Sequence, residues 1–117
     1  MNVMDLLELR DPKGFIEDAE KFTREINEEN GKDKRIISNT QLRKIYDQIL
    51  HIKYENLSEL YLLKPKLVYM RERKNITDNF VKKINAFIDN ISTEKHLINF
   101  KKYMEAVVAY NKQYGKE

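Results

Sequence analysis

Apolar residues recur at spacings of three and four along most of the chain, and helix start and stop signals separate the runs. The first stripe is Phe15, Ile16, Ala19, Phe22 and Ile26, opening after Asp11-Pro12 and closing at Asn30-Gly31. Proline is tolerated in a first turn, where its missing N–H would have no partner, and Asn-Gly suits a C-terminal cap. The second stripe is Leu42, Ile45, Tyr46, Ile49 and Ile52. It follows Ser38 and Gln41, spaced as a capping box, and predicts a helix from about Thr40 to Tyr54. A third begins near Ser58 with Leu60, Leu63, Leu67 and Met70 inward. Pro65 interrupts it, so a kink, or a restart with Pro65 as first residue, is expected. Thr77 caps a fourth helix, whose wide stripe of Phe80, Val81, Ile84, Phe87, Ile88 and Ile91 predicts a central place in a bundle. Ser92 or Thr93 caps a fifth, with Leu97, Phe100, Met104, Val107 and Val108 inward and Gly115 closing it.

Strand-like alternation, internal repeats and low-complexity tracts are absent from the sequence. The expected fold class is therefore all-α, a compact bundle of about five helices. The 117 residues have the size of one domain, so residues 1–117 are expected to form a single helical domain. A flexible, polar linker is expected near 31–37, carrying Lys32, Lys34 and Arg35.

Charge changes this picture more than composition does. Residues 1–33 hold ten Asp/Glu against five Lys/Arg, whereas residues 34–83 hold twelve Lys/Arg against five Asp/Glu. The asymmetry predicts a middle that faces a polyanion and an acidic end that faces water or a basic neighbour. On the first helix Glu17, Asp18, Glu20, Glu25, Glu28 and Glu29 make either a solvated face or a docking surface for a basic partner. On the second, Arg43, Asp47, Leu50 and Tyr54 share a face, so Arg43 either pairs with Asp47 or reaches a phosphate. On the third, Leu62, Lys66, Tyr69 and Arg73 share a face. Basic side chains with an interleaved tyrosine can neutralise phosphates and stack on bases or riboses. The bland alternative makes Tyr69 core edge and the cations merely solvated. Tyr103, Tyr110 and Tyr114 line one flank of the last helix, as core rim or as a subunit interface.

Catalysis has little to stand on. The three glycines are far apart, so no phosphate loop can form, and the absence of cysteine removes disulfides, a cysteine–zinc site and a thiol nucleophile. His51 and His96 lack partners at ligand spacing, so each is given an ordinary surface or helix-edge role; neither a metal nor a cofactor is expected. No apolar run is long enough to span a membrane and MNVMDLLELR lacks a signal peptide's positive start, which together with the missing cysteines predicts a cytoplasmic protein. Three classes remain: an RNA-binding subunit, a protein-interaction module without nucleic-acid contact, and a helix-turn-helix DNA binder. The last is disfavoured because no short helix pair with a tight glycine turn stands out.

In three motifs the chain resembles the small-subunit family of type III-A CRISPR effector (Csm) complexes. Thr40, Gln41, Leu42 and Arg43 with Tyr46 make the first, Lys64, Pro65, Lys66 and Leu67 with Tyr69 and Arg73 the second, and Ala109, Tyr110, Lys112 and Gly115 the third. One departure is that Met70, Arg71 and Glu72 stand where small residues are usual. The resemblance implies an all-α, non-catalytic subunit lying beside the guide RNA and its paired target RNA. Its partners would be the backbone and large subunits and further copies of itself, in antiviral defence. Base pairing reads sequence in such a particle, so the subunit needs only backbone contacts. The residues expected to make them are Arg43, Lys66 and Arg73 first, with Tyr69, then Lys44, Lys64, Arg71 and Lys74.

Overall fold

The computed structural model describes residues 1–28 and 37–115, so the Asn30-Gly31 cap, Glu29 and the basic linker residues lie outside the described residues. Among the described residues six α-helices run in order: α1 Val3–Leu7, α2 Pro12–Glu28, α3 Asn39–His51, α4 Leu63–Glu72, α5 Asp78–Asn90 and α6 Glu94–Tyr114. A 3₁₀ segment, Tyr54–Leu62, joins α3 to α4, and its two turns meet at a kink at Asn56. No strand occurs among the described residues, and the fold is all-α.

The predicted caps form where hydroxyls precede the stripes. Ser38 Oγ accepts from the Gln41 N–H at 3.3 Å, Thr77 Oγ1 from Phe80 at 3.3 Å and Thr93 Oγ1 from His96 at 3.1 Å. Thr93, not Ser92, is therefore the cap of α6, and α3 stops at His51, short of Tyr54. Pro65 is the third residue of α4 rather than its first. It still sits in the first turn, and having no N–H it cannot continue an α-helical ladder from the preceding residues, which coil in the tighter 3₁₀ form instead.

Two features depart from the expected bundle of about five helices. Helix α1 is additional, a single turn capped by Asn2, whose side chain accepts from Asp5 N–H at 2.8 Å, with Leu6 and Leu7 wholly buried. A turn this short has too few positions to show periodicity, and packing stabilises it rather than propensity. The centre also belongs to α6, which packs against α1, α2 and α3, while α5 lies against α1 and α4.

The α6 residue Tyr103 is core, not rim: it is fully buried, edge-on to Phe15 at 5.4 Å and tilted against Phe87 at 4.9 Å and Phe22 at 6.2 Å. Its hydroxyl donates to Asp18 Oδ1 at 2.6 Å, and burial first, then Asp18, pushes the phenol far above its ordinary pKa. Asp18 also receives Lys83 at 3.2 Å, and Tyr114 bonds Glu20 at 3.1 Å, so part of the acidic α2 face is tethered to the core rather than solvated. Ile16, expected inside, is 44% exposed. It belongs to the outward arc of α2, beside the stripe that Phe15, Ala19, Phe22 and Ile26 bury.

A buried amide network closes the other end of the bundle. Asn111 of α6 accepts from Asn27 Nδ2 at 2.8 Å and donates to the Ile37 carbonyl at 2.9 Å and to Asn39 Oδ1 at 2.8 Å, while Asn27 accepts from the Ile37 N–H at 2.9 Å. Ile37, expected at the end of a flexible linker, is wholly buried here. The network fixes the start of α3 against α6, and with it the surface that α3 presents.

Candidate nucleic-acid interface

Helix α3 packs on α6, and α4 packs on the 3₁₀ segment and α5. The outward faces of α3 and α4 border open grooves. Between α3 and the end of α6 lies a groove of about 460 Å³ lined by Asn39, Thr40, Arg43, Lys44, Val108 and Lys112. Between α3 and α4 lies a second, of about 330 Å³, lined by Gln41, Lys44, Lys66, Tyr69, Met70, Arg73 and Asn75. Lys44 lines both, so the two form one basic strip across α3, and among the described residues no carboxylate lines either.

The predicted site residues thus divide by helix register. Leu42, Ile45, Tyr46 and Ile49 take the inner face of α3, which leaves Arg43 and Lys44 outside. Leu63, Leu67 and Met70 take the inner face of α4, which leaves Lys66, Tyr69 and Arg73 outside. Lys64 and Arg71 turn the other way, toward α5: Lys64 pairs with Asp89 at 2.5 Å and Arg71 with Asp78 at 3.0 Å, and neither lines the strip. Met70 and Arg71, which depart from the motif, are therefore a core side chain and a bridge to α5. Lys74 ends α4 in a left-handed conformation with φ 63°, and its exposed side chain lines neither groove.

The cations of the strip differ in their local partners. Arg43 does pair with Asp47, at 3.4 Å, and lies over the Tyr46 ring at 5.6 Å. Both partners of that pair are more than half exposed, and such surface pairs contribute roughly 0–1 kcal/mol, so a phosphate can displace the carboxylate. Burial first, then Glu105, raises the Tyr46 pKa. Arg73 stacks on Tyr69 at 5.4 Å and donates to its hydroxyl at 2.8 Å, holding the ring of a residue that is 60% exposed. Lys44, Lys66 and Lys112 have no carboxylate partner among the described residues.

Lys112, Gln41, Asn39 and Asn75 complete the strip but were outside the predicted site. Lys112 reaches it only because α6 crosses α3, a tertiary event; its one sequence signal was the Ala109-Tyr110-x-Lys112 motif. Asn75 arrives because the left-handed Lys74 reverses the chain. The histidines take structural places. His51 Nδ1 lies 2.6 Å from the Asp47 carbonyl. His96, expected at a surface or helix edge, is buried: its Nδ1 accepts from the Ser92 N–H at 3.1 Å and its Nε2 faces Glu8, joining α6 to the end of α1. Among the described residues no group of three or more His, Cys, Asp or Glu side chains converges, and no helix is long and apolar enough to cross a membrane.

Comparison with curated proteins and with solved structures returned no match. The family model described as Csm2 Type III-A matches residues 10–117. Some of the motif residues that carried the resemblance line the grooves, Thr40, Arg43 and Lys112 in one and Gln41, Lys66, Tyr69 and Arg73 in the other, while Leu42, Tyr46 and Leu67 are buried in the core and Lys64 pairs with Asp89. The chain belongs to the Csm2 type III-A family, a structural small-subunit family of the multi-subunit Csm effector complex.

Proposed function

We propose that this chain is a non-catalytic RNA-binding small subunit, gripping the guide RNA and its paired target RNA through backbone phosphates and helping to assemble the particle for antiviral defence. It works in the cytoplasm as a single helical domain, beside the backbone and large subunits and further copies of itself. The observation that carries this reading is the basic strip joined at Lys44, with Arg43 and Lys112 on one side and Lys66 and Arg73 on the other. Lysine and arginine on an open groove neutralise phosphates without reading bases, which suits a subunit of a particle in which pairing supplies the sequence. Lys64, Arg71 and Lys74 contribute less, because their side chains are bridged or lie off the strip.

Fluorescence anisotropy of labelled RNA against the full chain, across a salt series, tests the proposal. Binding should fall with salt and be indifferent to sequence. Alanine at Lys44, Lys66 and Arg73 together should lower the magnitude of the log–log salt slope by about 2, at roughly 0.7 per phosphate contact on a single strand. Binding that ignores salt, or that the triple variant retains in full, would remove the strip as an RNA site and leave a protein-interaction module.

A further inference from the structure

We infer that the groove between α3 and α4 is a subsite for one unpaired nucleotide, with its base stacked on Tyr69. The inference rests on the RNA-binding reading and adds that this part of the strip takes single-stranded rather than duplex RNA. A phosphate-only surface needs cations and nothing else, yet this groove holds more. Tyr69 is 60% exposed on the outer face of α4, and Arg73 fixes its ring through the stack and the 2.8 Å bond to its hydroxyl while leaving most of it accessible. An exposed aromatic ring beside cations is the platform on which single-strand-binding proteins stack bases, and it tolerates any base because every base has a π face.

The rest of the groove supplies what the other parts of a nucleotide need. Lys44 and Lys66 stand on opposite walls, one on α3 and one on α4, where either can meet the phosphate. Gln41 and Asn75 bring side-chain amides, each with a donor and an acceptor, and neither amide has a hydrogen-bond partner among the described residues. Those groups are suited to the Watson–Crick edge that only an unpaired base offers. The volume, about 330 Å³, is at the small end of the roughly 300–1,000 Å³ typical of ligand sites, so it accommodates a nucleotide but not a base pair flanked by its helix.

The test uses the full chain and an oligouridylate carrying a single 2-aminopurine, read by both anisotropy and 2-aminopurine emission. The parent should quench the emission on binding. Annealing a complement that pairs the 2-aminopurine should abolish the protein-dependent quenching. Tyr69→Ala should lose the quenching and bind the strand about tenfold more weakly with its salt slope unchanged, whereas Tyr69→Phe, which keeps the ring, should quench like the parent. Circular dichroism confirms that each variant is folded. Salt-dependent binding by the parent without quenching, equal quenching in the duplex, or parental affinity in Tyr69→Ala would each overturn the subsite while leaving the phosphate-binding strip intact. Absence of salt-dependent binding by the parent would overturn both.

Discussion

Gly115 shows how tightly single residues constrain this fold. It follows α6 with φ −88°, so its glycine is not required by a left-handed backbone; it is required by space, because a Cβ there would overlap the Asn111 amide. That amide is the hub joining Asn27, Ile37 and Asn39. Asn111→Leu should cost on the order of 2–3 kcal/mol in urea unfolding, because the buried Ile37 carbonyl loses the Asn111 donor and Asn27 Nδ2 loses one of its two acceptors, keeping the Thr23 carbonyl, and Gly115→Ala should destabilise by a smaller amount through the same network. Unchanged midpoints would mean that the network relaxes freely. A second residue-scale effect concerns acid. The bond from His96, then Lys95, holds the Glu8 carboxyl below its ordinary value of 4.5. Folding therefore favours the ionised form: the contribution is complete above the unfolded value and is lost as pH falls through the lowered one. Glu8→Gln should accordingly be less stable than the parent at pH 7 and converge with it toward pH 3, in unfolding curves taken at both. A gap that stays constant with pH would show that Glu8 acts by packing alone.

At the scale of elements, the interior was legible and the joints were not. The stripes of α3, α4 and α5 are buried as their periodicity requires, because a helix facing a core on one side leaves a 3.6-residue signature whatever its neighbours are. Tyr103 escaped that logic: an amphipathic residue fits a rim as well as a core, and only the Asp18 acceptor on α2 lets its hydroxyl be buried. Helix α1 was too short to leave a period, and Lys74 gave no sign of its conformation. The joint at Lys74 is testable. The Asn75 N–H bonds the Met70 carbonyl at 2.9 Å and the Lys74 N–H bonds Arg71 at 2.9 Å, closing α4 in a left-handed turn that usually takes glycine. Lys74→Gly should relieve the Cβ strain and stabilise by about 1 kcal/mol in thermal or urea unfolding. A loss of stability would mean that the lysine stem packs against α4 by more than the strain costs.

At the scale of the whole molecule, the chain separates a load of apolar packing from a surface that does none of it. Helix α6 collects α1, α2 and α3, and α5 contributes Phe80 and Phe87 to the same aromatic cluster, with Phe80 stacked on Phe22 at 6.1 Å and Phe87 tilted against Phe100 at 5.2 Å. The slab is 18 Å thick across Cα atoms, about two helix layers, so the outer faces of α3 and α4 are solvent-facing. Sequence periodicity revealed which side chains point out but not which outward faces adjoin. That is why Lys64 and Arg71 stood beside Lys66 and Arg73 in the predicted site and lie apart from them in the fold. The separation predicts opposite phenotypes for neighbouring cations. Lys44→Ala and Lys66→Ala should leave unfolding within about 0.5 kcal/mol of the parent, as for surface changes without partners, while weakening salt-dependent RNA binding. Arg71→Ala should do the reverse, losing up to about 1 kcal/mol with the bridge to Asp78 and leaving RNA affinity nearly unchanged. If instead all three lose RNA affinity equally, the nucleic acid runs from α3 across α4 and on toward α5, and the bridge to Asp78 does not keep Arg71 out of the contact.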